Sequence, residues 1–451
     1  MPKPTPPEPD ETYPLLQGHG ANPAAWRAGR AIGVEALIAE AGAWSARLPD
    51  RDYILNLCSD RYAFTVGFLA ALANGQTTLL PPDGRPATLQ ALAARYGSVG
   101  VFNDAPPPLA LPHTCWQEDA GGAGAAVPAA IPGERVAAIV HTSGSSGEPQ
   151  PHLKTWGMLA RRARAVGRRL GLETPQALKL VATVPAQHMY GLENSVMLAL
   201  QCGAAVCASR PFFAADVAAA LAEGEADNLL VTTPIHLKAL YTAPADYRRV
   251  RLALSSTAPL AAAAANAAEA CLGAPVLEIY GSSETGVAAM RRTAAGEAWR
   301  PVDGVRIAAA ADGALVEDVA TGVTVRLEDD ISVAADGSFV LGARLGDVVK
   351  VGGKRGSLAA LTAALLDIPG VEDGVFLAPA ADGAAARLVA FVVAPALDEA
   401  ALLAALRERV DAVFLPRPLV KVRALPRNAT GKLPRAALDR LLCELPAAAA
   451  D

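Results

Sequence analysis

The sequence has few cysteines, and their spacing argues against both a metal site and a disulfide framework. Six cysteines are spread along the 451 residues, without a Cys-x-x-Cys pair and without a nearby group of histidines. Most of them lie in apolar or alanine-rich surroundings, where a thiol behaves as a small hydrophobic side chain. The pattern indicates neither a zinc site nor a disulfide-stapled fold.

Long hydrophobic runs are also missing. A membrane-spanning helix needs roughly 20 strongly apolar residues, whereas the longest apolar stretches, such as residues 260–275, are rich in alanine and are interrupted by Asn266 and Glu269. The first ten residues are rich in proline and lack the apolar core of a signal peptide. We therefore predict a flexible tail over residues 1–20, no membrane span and a cytoplasmic protein.

No strong excess of charge of either sign is present, since 45 acidic and 40 basic residues leave a formal net charge of −5. Binding to nucleic acid depends on a basic face. The arginine clusters at residues 161–164 and 168–169 lie on a predicted helix, where a solvated face is their simplest interpretation. The sequence therefore predicts no nucleic-acid partner.

Short apolar segments alternate with helical patterns from residue 33 onward. Strand-like segments occur at residues 53–58, 77–80, 136–141, 180–184, 229–232, 251–254 and 276–280. Helical patterns at residues 62–73, 159–170, 214–222 and 260–272 separate most of them, and Ser59 or Asp60 is suited to cap the first helix. This alternation predicts a layered α/β fold whose strands are largely covered on both faces.

The pattern changes after about residue 330. Alternating segments at residues 338–341 and 348–351 lead to a helix near 357–366, strands at 374–378 and 387–393, and a helix at 399–413. These elements predict a small α+β domain of ordinary size. We therefore predict a large α/β domain over residues 21–344 and a small C-terminal domain over residues 345–451.

A loop rich in glycine and hydroxyl groups follows the apolar segment that begins at Val136. Glycines let backbone N–H groups approach a phosphate closely, and hydroxyl groups add hydrogen-bond donors. The pattern predicts a triphosphate cradle formed by Thr142, Ser143, Gly144, Ser145, Ser146 and Gly147. An ordinary solvent loop is the alternative. A P-loop ranks low, because the Gly-Lys-Ser/Thr ending is missing.

This loop is the first of several motifs that together cover roughly residues 136–438. After residues 142–149 (Thr-Ser-Gly-Ser-Ser-Gly-Glu-Pro) come 184–192 (Val-Pro-Ala-Gln-His-Met-Tyr-Gly-Leu), 256–260 (Ser-Thr-Ala-Pro-Leu), 279–286 (Ile-Tyr-Gly-Ser-Ser-Glu-Thr-Gly), 299–305 (Trp-Arg-Pro-Val-Asp-Gly-Val), 344–355 (Arg-Leu-Gly-Asp-Val-Val-Lys-Val-Gly-Gly-Lys-Arg) and 425–435 (Leu-Pro-Arg-Asn-Ala-Thr-Gly-Lys-Leu-Pro-Arg). In this order the motifs resemble those of the adenylate-forming superfamily of acyl- and aryl-CoA ligases, luciferases and peptide-synthetase adenylation domains. The resemblance implies a large layered α/β domain and a small, mobile α+β domain.

The same resemblance implies a reaction in two steps. A carboxylic acid joins the α-phosphate of ATP with release of pyrophosphate, and the acyl group then passes to the thiol of coenzyme A or of a phosphopantetheine on an acyl carrier protein. Both reactants of the first step are anionic, so the site must neutralise charge and align the attacking oxygen. The implied metal is Mg²⁺, which prefers carboxylate and phosphate oxygens.

By resemblance, Glu284 coordinates Mg²⁺, and Lys432 stabilises the charge that develops between the carboxylate and the α-phosphate. Ser283 replaces a threonine that contacts the α-phosphate. Asp329, with Asp330 as its rival, binds the ribose. The other nucleotide contacts are assigned to Thr257, Ala258, Tyr280, Gly281, Ser282, Arg344 and Lys154.

Motif position assigns the acid pocket to His188, Tyr190, Gly191, Thr233, Pro234, Ser255 and Ser256. His188 is also a candidate catalytic residue, although a buried core histidine is an equal interpretation. The hinge and the thiol-accepting face are assigned to Gly346, Lys350, Gly352, Gly353, Lys354 and Arg355. In the family, rotation about the hinge exchanges Lys432 for that face and limits hydrolysis of the adenylate.

Three departures from the family pattern stand out. Gln150 replaces the lysine that usually follows the proline of the phosphate loop, so either Lys154 reaches back to the triphosphate or one charge contact is lost. Gly346 stands at the hinge position where aspartate or lysine is usual. The region before the phosphate loop is short.

The short start, residues 147–156 and the Val-Gly-Gly-Lys-Arg loop at residues 351–355 resemble a narrower group, the compact ligases of bacterial aryl-polyene and xanthomonadin-type pathways. That likeness implies an aromatic acid such as a hydroxybenzoate or hydroxycinnamate. One alternative is a medium-chain fatty acyl ligase. Another is a degenerate homologue that binds nucleotide or a carrier protein without turnover.

Overall fold

Strands and helices alternate along the chain in the computed structural model. It describes residues 11–107, 109–118, 124–143, 149–173, 177–243, 245–344, 347–351, 354–378, 388–428, 431–433 and 435–443. The strands are β1 (Thr12–Pro14), β2 (Ala25–Arg27), β3 (Arg30–Ile32), β4 (Tyr53–Asn56), β5 (Thr77–Leu80), β6 (Val99–Asn103), β7 (His113–Cys115), β8 (Ala130–Pro132), β9 (Val136–Ser143), β10 (Pro149–Thr155), β11 (Leu178–Ala182), β12 (Ala205–Cys207), β13 (Asp227–Thr232), β14 (Val250–Ser255), β15 (Val276–Ser282), β16 (Gly286–Arg292), β17 (Arg300–Pro301), β18 (Val305–Ala310), β19 (Gly313–Asp318), β20 (Thr324–Leu327), β21 (Asp329–Val333), β22 (Phe339–Arg344), β23 (Val348–Val351), β24 (Lys354–Ser357), β25 (Asp373–Leu377), β26 (Val389–Val393) and β27 (Leu419–Lys421).

The α-helices are α1 (Val34–Ser45), α2 (Arg61–Ala73), α3 (Pro86–Tyr96), α4 (Trp156–Arg169), α5 (Met189–Gly191), α6 (Leu198–Cys202), α7 (Ala214–Ala222), α8 (Pro234–Thr242), α9 (Ala262–Leu272), α10 (Leu358–Leu366), α11 (Glu399–Arg407) and α12 (Arg435–Cys443). A π-helical segment, Leu192–Met197, lies between α5 and α6. Across the described ranges, none of the helices is both long and apolar enough to span a bilayer.

The described chain divides into two compact units. The first contains the residues up to Gly296, with Arg300–Arg306 and Asp318–Val323, and the second contains the remainder. The boundary predicted between residues 344 and 345 falls inside the second unit, and that division into functional domains stays a prediction.

Two large sheets organise the first unit. One has the strand order β10-β9-β5-β4-β6-β7, and the other has the order β17-β16-β15-β14-β13-β11-β12-β2-β3. Within the second sheet the six strands from β15 to β2 run parallel. Parallel strands need cover on both faces. Helix α2 meets that need in the core, because its residues from Arg61 to Leu72 are all buried.

The local sequence explains how α2 begins. Asp60 precedes the helix in extended conformation, and its carboxylate accepts a hydrogen bond from the Ala63 backbone N–H at 3.0 Å. An acidic N-cap satisfies one of the otherwise unpaired N–H groups of the first turn. The predicted helix and its predicted cap are therefore confirmed.

The sequence patterns missed one strand and placed the end of one helix wrongly. No strand was predicted between the phosphate loop and α4, yet Pro149–Thr155 forms β10, antiparallel to β9. Proline is tolerated here because β10 lies at the edge of its sheet, where a missing N–H breaks no central ladder. The helix predicted over 399–413 ends at Arg407, and a short 3₁₀ turn at Ala412–Phe414 follows.

Among the described residues, the second unit contains all or most of four small sheets. They have the strand orders β18-β19-β20, β21-β22, β23-β24 and β25-β26-β27. Helices α10 and α11 pack with the last of these around a core that includes Leu365, Val392 and Leu402. The α+β character that the sequence predicts for this part of the chain is thus confirmed.

Candidate active site

The predicted phosphate loop joins two paired strands. Thr142 and Ser143 end β9, and they pair with Gln150 and Pro149 of β10. The four predicted cradle residues Gly144, Ser145, Ser146 and Gly147, together with Glu148, lie outside the described residues. The structure therefore defines both ends of this loop, and the cradle itself stays a prediction.

One face of β10 points toward a second loop, residues 282–286. Side chains alternate along a strand, so His152 and Lys154 share one face while Leu153, 56% exposed, lies on the other. His152 Nε2 lies 3.0 Å from Thr142 Oγ1 and 3.4 Å from Glu284 Oε1. Lys154 Nζ donates to the Glu284 main-chain carbonyl at 2.9 Å. The two strand residues thus connect the end of β9 with Glu284.

Loop 282–286 is held by its own hydrogen bonds. The Ser282 N–H donates to Thr285 Oγ1 at 2.9 Å, and the Thr285 N–H donates to Ser282 Oγ at 3.2 Å. Gly286 then turns the chain with a φ of +65°, a conformation that glycine adopts without the steric cost of a β-carbon. These hydrogen bonds and this turn define the shape of the loop.

Glu284 combines exposure with a stabilised negative charge. Its side chain is 42% exposed. Partial burial by itself would raise the pKa of this carboxyl, but hydrogen bonds from Ser282 and from its own backbone, with His152 and Lys154 nearby, hold the pKa below its usual value. The group is thus ionised at neutral pH and available to a cation.

The surroundings of Glu284 fit Mg²⁺ held partly by phosphate. No group of three or more histidine, cysteine, aspartate or glutamate side chains suited to a metal occurs in the described ranges. Mg²⁺ sites of this kind use one or two carboxylates and complete the coordination with water and substrate phosphates. Glu284 beside the end of β9 matches that donor set.

The predicted adenine-contacting segments also lie in the first unit. Tyr280 is on β15 opposite Ala289 of β16. Ser256 Oγ donates to the Ile279 carbonyl at 3.2 Å, which joins loop 256–260 to the same strand. Thr257 has a φ of +82°, which is a strained conformation for a β-branched residue and is common at ligand sites.

The predicted acid-pocket residues converge at the ends of β13 and β14. Tyr190 Oη donates to the carbonyls of Thr232 and Leu254, each at 3.0 Å. Thr233 caps α8 through its side chain, and Pro234 occupies the first turn. Ser255 is fully buried, and its hydroxyl has no hydrogen-bond partner within the described part of the chain. The tyrosine hydroxyl is thus committed to main-chain groups, whereas the Ser255 hydroxyl is buried without a partner among the described residues.

His188 and Gly191 lie beside these residues in the chain. His188 is half-buried and directly precedes α5, and Gly191 ends that helix. A β-carbon at Gly191 would lie 1.9 Å from the Pro185 carbonyl oxygen, so glycine is required there. The two interpretations of His188, catalytic and structural, both remain.

The nucleotide and hinge residues predicted after residue 328 belong to the second unit. In the backbone register, Asp329 of β21 lies opposite Arg344 of β22. Lys350 of β23 likewise lies opposite Arg355 of β24. Lys354 forms an ion pair with Asp411. Gly346, Gly352 and Gly353 lie outside the described residues.

Lys432 is exposed on a short loop of the second unit. The Lys432 backbone N–H donates to Asn428 Oδ1 at 2.9 Å, and the Asn428 backbone N–H donates to the Lys432 carbonyl at 2.8 Å. Arg427 braces the loop, because it donates to the Gly431 carbonyl and forms two 2.7 Å bonds to Asp373. The Arg-Asn part of the predicted motif therefore shapes the backbone that carries the lysine.

Sequence reasoning missed His152 and Glu193. His152 could have been found from the period-two pattern of residues 149–155, in which residues 152 and 154 share a face. Glu193 lies on the π-helical segment and is 4% exposed. No sequence signal distinguished it from a surface carboxylate.

Replacing Gly286 with alanine is expected to destabilise the first unit, because the Glu193 carboxylate must move away and lose its hydrogen bond from the Val287 N–H. The added β-carbon would lie 2.3 Å from Glu193 Oε1, in addition to a left-handed strain of about 1–2 kcal/mol. Gly273→Ala is the matched control, because Gly273 has a φ of +63° but open space around it. Thermal unfolding should show a clearly larger loss for Gly286→Ala, and equal losses would contradict the contact.

The chain is similar in sequence to known proteins. The sequence model of the AMP-binding enzymes matches residues 44–329. A 4-coumarate–CoA ligase of Rhodobacter capsulatus is 33% identical over 306 residues, which cover 66% of this chain and 75% of that protein.

Solved structures show the same fold. The o-succinylbenzoate CoA synthetase of Bacillus subtilis with its acyl-adenylate intermediate has a TM-score of 0.80 at 18% identity, covering 95% of this chain and 98% of that one. The anthranilate CoA ligase AuaEII with anthranoyl-AMP has a TM-score of 0.80 at 16% identity, covering 96% and 99%. The α/β fold predicted from the sequence is confirmed.

Proposed function

We propose an aromatic carboxylic acid as the substrate of this chain, which belongs to the AMP-binding enzyme family and is an AMP-forming acid–thiol ligase. Such an enzyme uses ATP to convert an acid to its acyl-adenylate and then transfers the acyl group to a thiol. Support for an aromatic acid comes from the similar proteins, whose names specify coumarate, anthranilate and o-succinylbenzoate.

The observation that supports ATP-dependent activation at this site is the convergence of β9, β10 and loop 282–286. Thr142 lies 3.0 Å from His152, which lies 3.4 Å from Glu284, so the phosphate-loop strand and the carboxylate share one site. When bound, Mg²⁺ neutralises phosphate charge and orients the triphosphate for displacement. In this proposal Glu284 holds that ion, and Ser282, Ser283 and the hydroxyls of the phosphate loop orient the phosphates.

The proposal assigns the remaining groups by motif. Tyr280 with Thr257 and Ala258 binds the adenine, Asp329 binds the ribose, and Lys432 supplies positive charge to the reacting carboxylate and α-phosphate. A positive point charge that meets developing negative charge stabilises the transition state more than the ground state. In this proposal the acid lies against the segment that carries His188 and Tyr190.

Coenzyme A is the acceptor favoured by the relatives, since they are named CoA ligases. Phosphopantetheine on a carrier protein presents the same thiol chemistry. Product assays with coenzyme A and with a pantetheinylated carrier protein separate the two acceptors.

Acid-dependent ATP–pyrophosphate exchange is the test of this function. We expect exchange with hydroxybenzoates or hydroxycinnamates at rates well above those with medium-chain fatty acids. The reason is that a pocket built for a flat ring loses contacts with a flexible chain. Preference for a fatty acid would contradict the aromatic assignment, and exchange with no acid at all would contradict the reaction.

A further inference from the structure

A group of charged side chains, of which three are buried and Asp318 is half-buried, lies beneath loop 282–286 in the first unit. Lys154, Arg162, Glu193 and Asp318 line a cavity of about 10 Å³ together with Thr285 and three apolar side chains. A space of that size admits one water molecule at most. The cavity therefore has no room for a phosphate group. The four charged side chains around it form a supporting layer behind the loop.

Lys154 belongs to this layer. It is 3% exposed, and its Nζ donates to the Glu284 main-chain carbonyl at 2.9 Å, which links residues 130 positions apart. A strand advances about 3.3 Å per residue, so the Lys154 backbone lies several residues down β10 from the phosphate loop. The geometry thus ties the amine to Glu284, although the sequence assigned it to the triphosphate.

Glu193 contacts the same loop from the other side of the cavity. Its Oε2 accepts a hydrogen bond from the Val287 N–H at 3.0 Å. Its Oε1 lies so close to Gly286 that a β-carbon there would approach to 2.3 Å. The carboxylate therefore fits against the point where the loop enters β16.

The charges in this layer compensate one another. Burial lowers the pKa of the Lys154 amine, and the carboxylates of Glu193 and Glu284 oppose that effect. Burial raises the pKa of Glu193, and Arg162 and Lys154 oppose it. Arg162 in turn donates to Asp318 at 3.0 Å. Buried charges of this kind persist only with partners in place, so loss of one member disturbs the others.

We propose that Lys154 and Glu193 are positioning residues that hold loop 282–286 in the shape that presents the Glu284 carboxylate to the magnesium ion of Mg²⁺·ATP. This inference rests on the proposed function. It also accounts for the absence of a lysine directly after Pro149, since β10 contributes its lysine to the carboxylate loop in place of the phosphate loop. Groups behind a metal ligand typically change metal affinity about 10–100-fold when they are removed.

The test uses Lys154→Met, which keeps the apolar stem and removes the donor, and Lys154→Arg, which keeps a donor. Lys179→Met is the matched control, because Lys179 is fully buried and its Nζ donates to the Ala220 and Glu223 carbonyls at the end of α7. Glu193→Met removes the oxygen that accepts from the Val287 N–H on the opposite side of the loop, and Glu193→Gln keeps such an acceptor. Calorimetry measures ATP binding with Mg²⁺ and with a chelator, and thermal unfolding is recorded in parallel.

In the wild type, Mg²⁺ should tighten ATP binding. Lys154→Met and Glu193→Met should each reduce that Mg²⁺-dependent gain by about tenfold or more, with binding in chelator unchanged, and Lys154→Arg and Glu193→Gln should each restore part of it. Lys179→Met should lower the unfolding temperature without changing the gain. If Mg²⁺ tightens ATP binding as much in Lys154→Met and in Glu193→Met as in the wild type, the positioning role is overturned. A wild type in which Mg²⁺ has no effect would instead overturn the proposed function.

Discussion

Lys432→Ala is expected to lower acid-dependent ATP–pyrophosphate exchange by about 10²–10³-fold, the usual cost of removing one group that stabilises transition-state charge. Transfer of the acyl group from preformed acyl-adenylate to coenzyme A should change far less, because the expected rotation about the hinge exchanges Lys432 for the thiol-accepting face before that step. The measurement is the ratio of the two half-reactions in one preparation. Equal losses in both would contradict the role of Lys432 in adenylation.

Lys421→Ala is the control for that experiment. Lys421 lies on β27 of the same unit, is exposed, and donates to the Leu397 carbonyl. Its removal deletes a surface lysine of similar character without touching the loop braced by Arg427. Both half-reactions should keep their wild-type rates.

Glu284→Gln is expected to lower exchange by about 10²–10³-fold at moderate Mg²⁺ concentration and to raise the Mg²⁺ concentration needed for half-maximal rate. Glutamine keeps the shape of the side chain and removes the negative charge that Mg²⁺ prefers. The hydrogen bonds that hold the pKa of Glu284 below its usual value keep the native group ionised throughout the neutral range. The effect of the substitution should therefore be independent of pH between about 6 and 8.

Glu269→Gln provides the matched carboxylate control. Glu269 also lies in the first unit, and its pKa is lowered chiefly by a hydrogen bond from Arg292. Its substitution removes a 2.7 Å ion pair away from the site. An unchanged Mg²⁺ dependence is expected for Glu269→Gln, whereas a wild-type Mg²⁺ dependence in Glu284→Gln would refute the assignment of the metal ligand.

Elements with strong local signals were predictable. Thr77–Leu80, Ala214–Ala222 and Val348–Val351 have the bounds that their patterns indicate. Helix α2 was predictable together with its Asp60 cap, because an apolar run and an acidic N-cap act within a few residues of each other. Such features need no knowledge of the rest of the chain.

Strand β10 was not predictable in the same way. Its two prolines argue against a strand, and only pairing with β9 at a sheet edge overrides that local preference. The end of α11 at Arg407 was missed for a related reason, since a helical pattern continues past the point where the chain turns. Tertiary contacts override local propensity at both places.

The sequence by itself determined the chemistry of this protein. The hydroxyl-rich loop that begins at Thr142, the Glu284 motif and the Lys432 motif are short segments whose residue types define what they can bind. The tertiary structure alone decided how those segments are supported. The contacts of Lys154 with Glu284 and of Glu193 with Val287 span 130 and 94 positions, and such partners are chosen by how sheets and helices pack. The chemistry of a short segment can therefore be predicted from the sequence, whereas the compensation of buried charges depends on the folded chain.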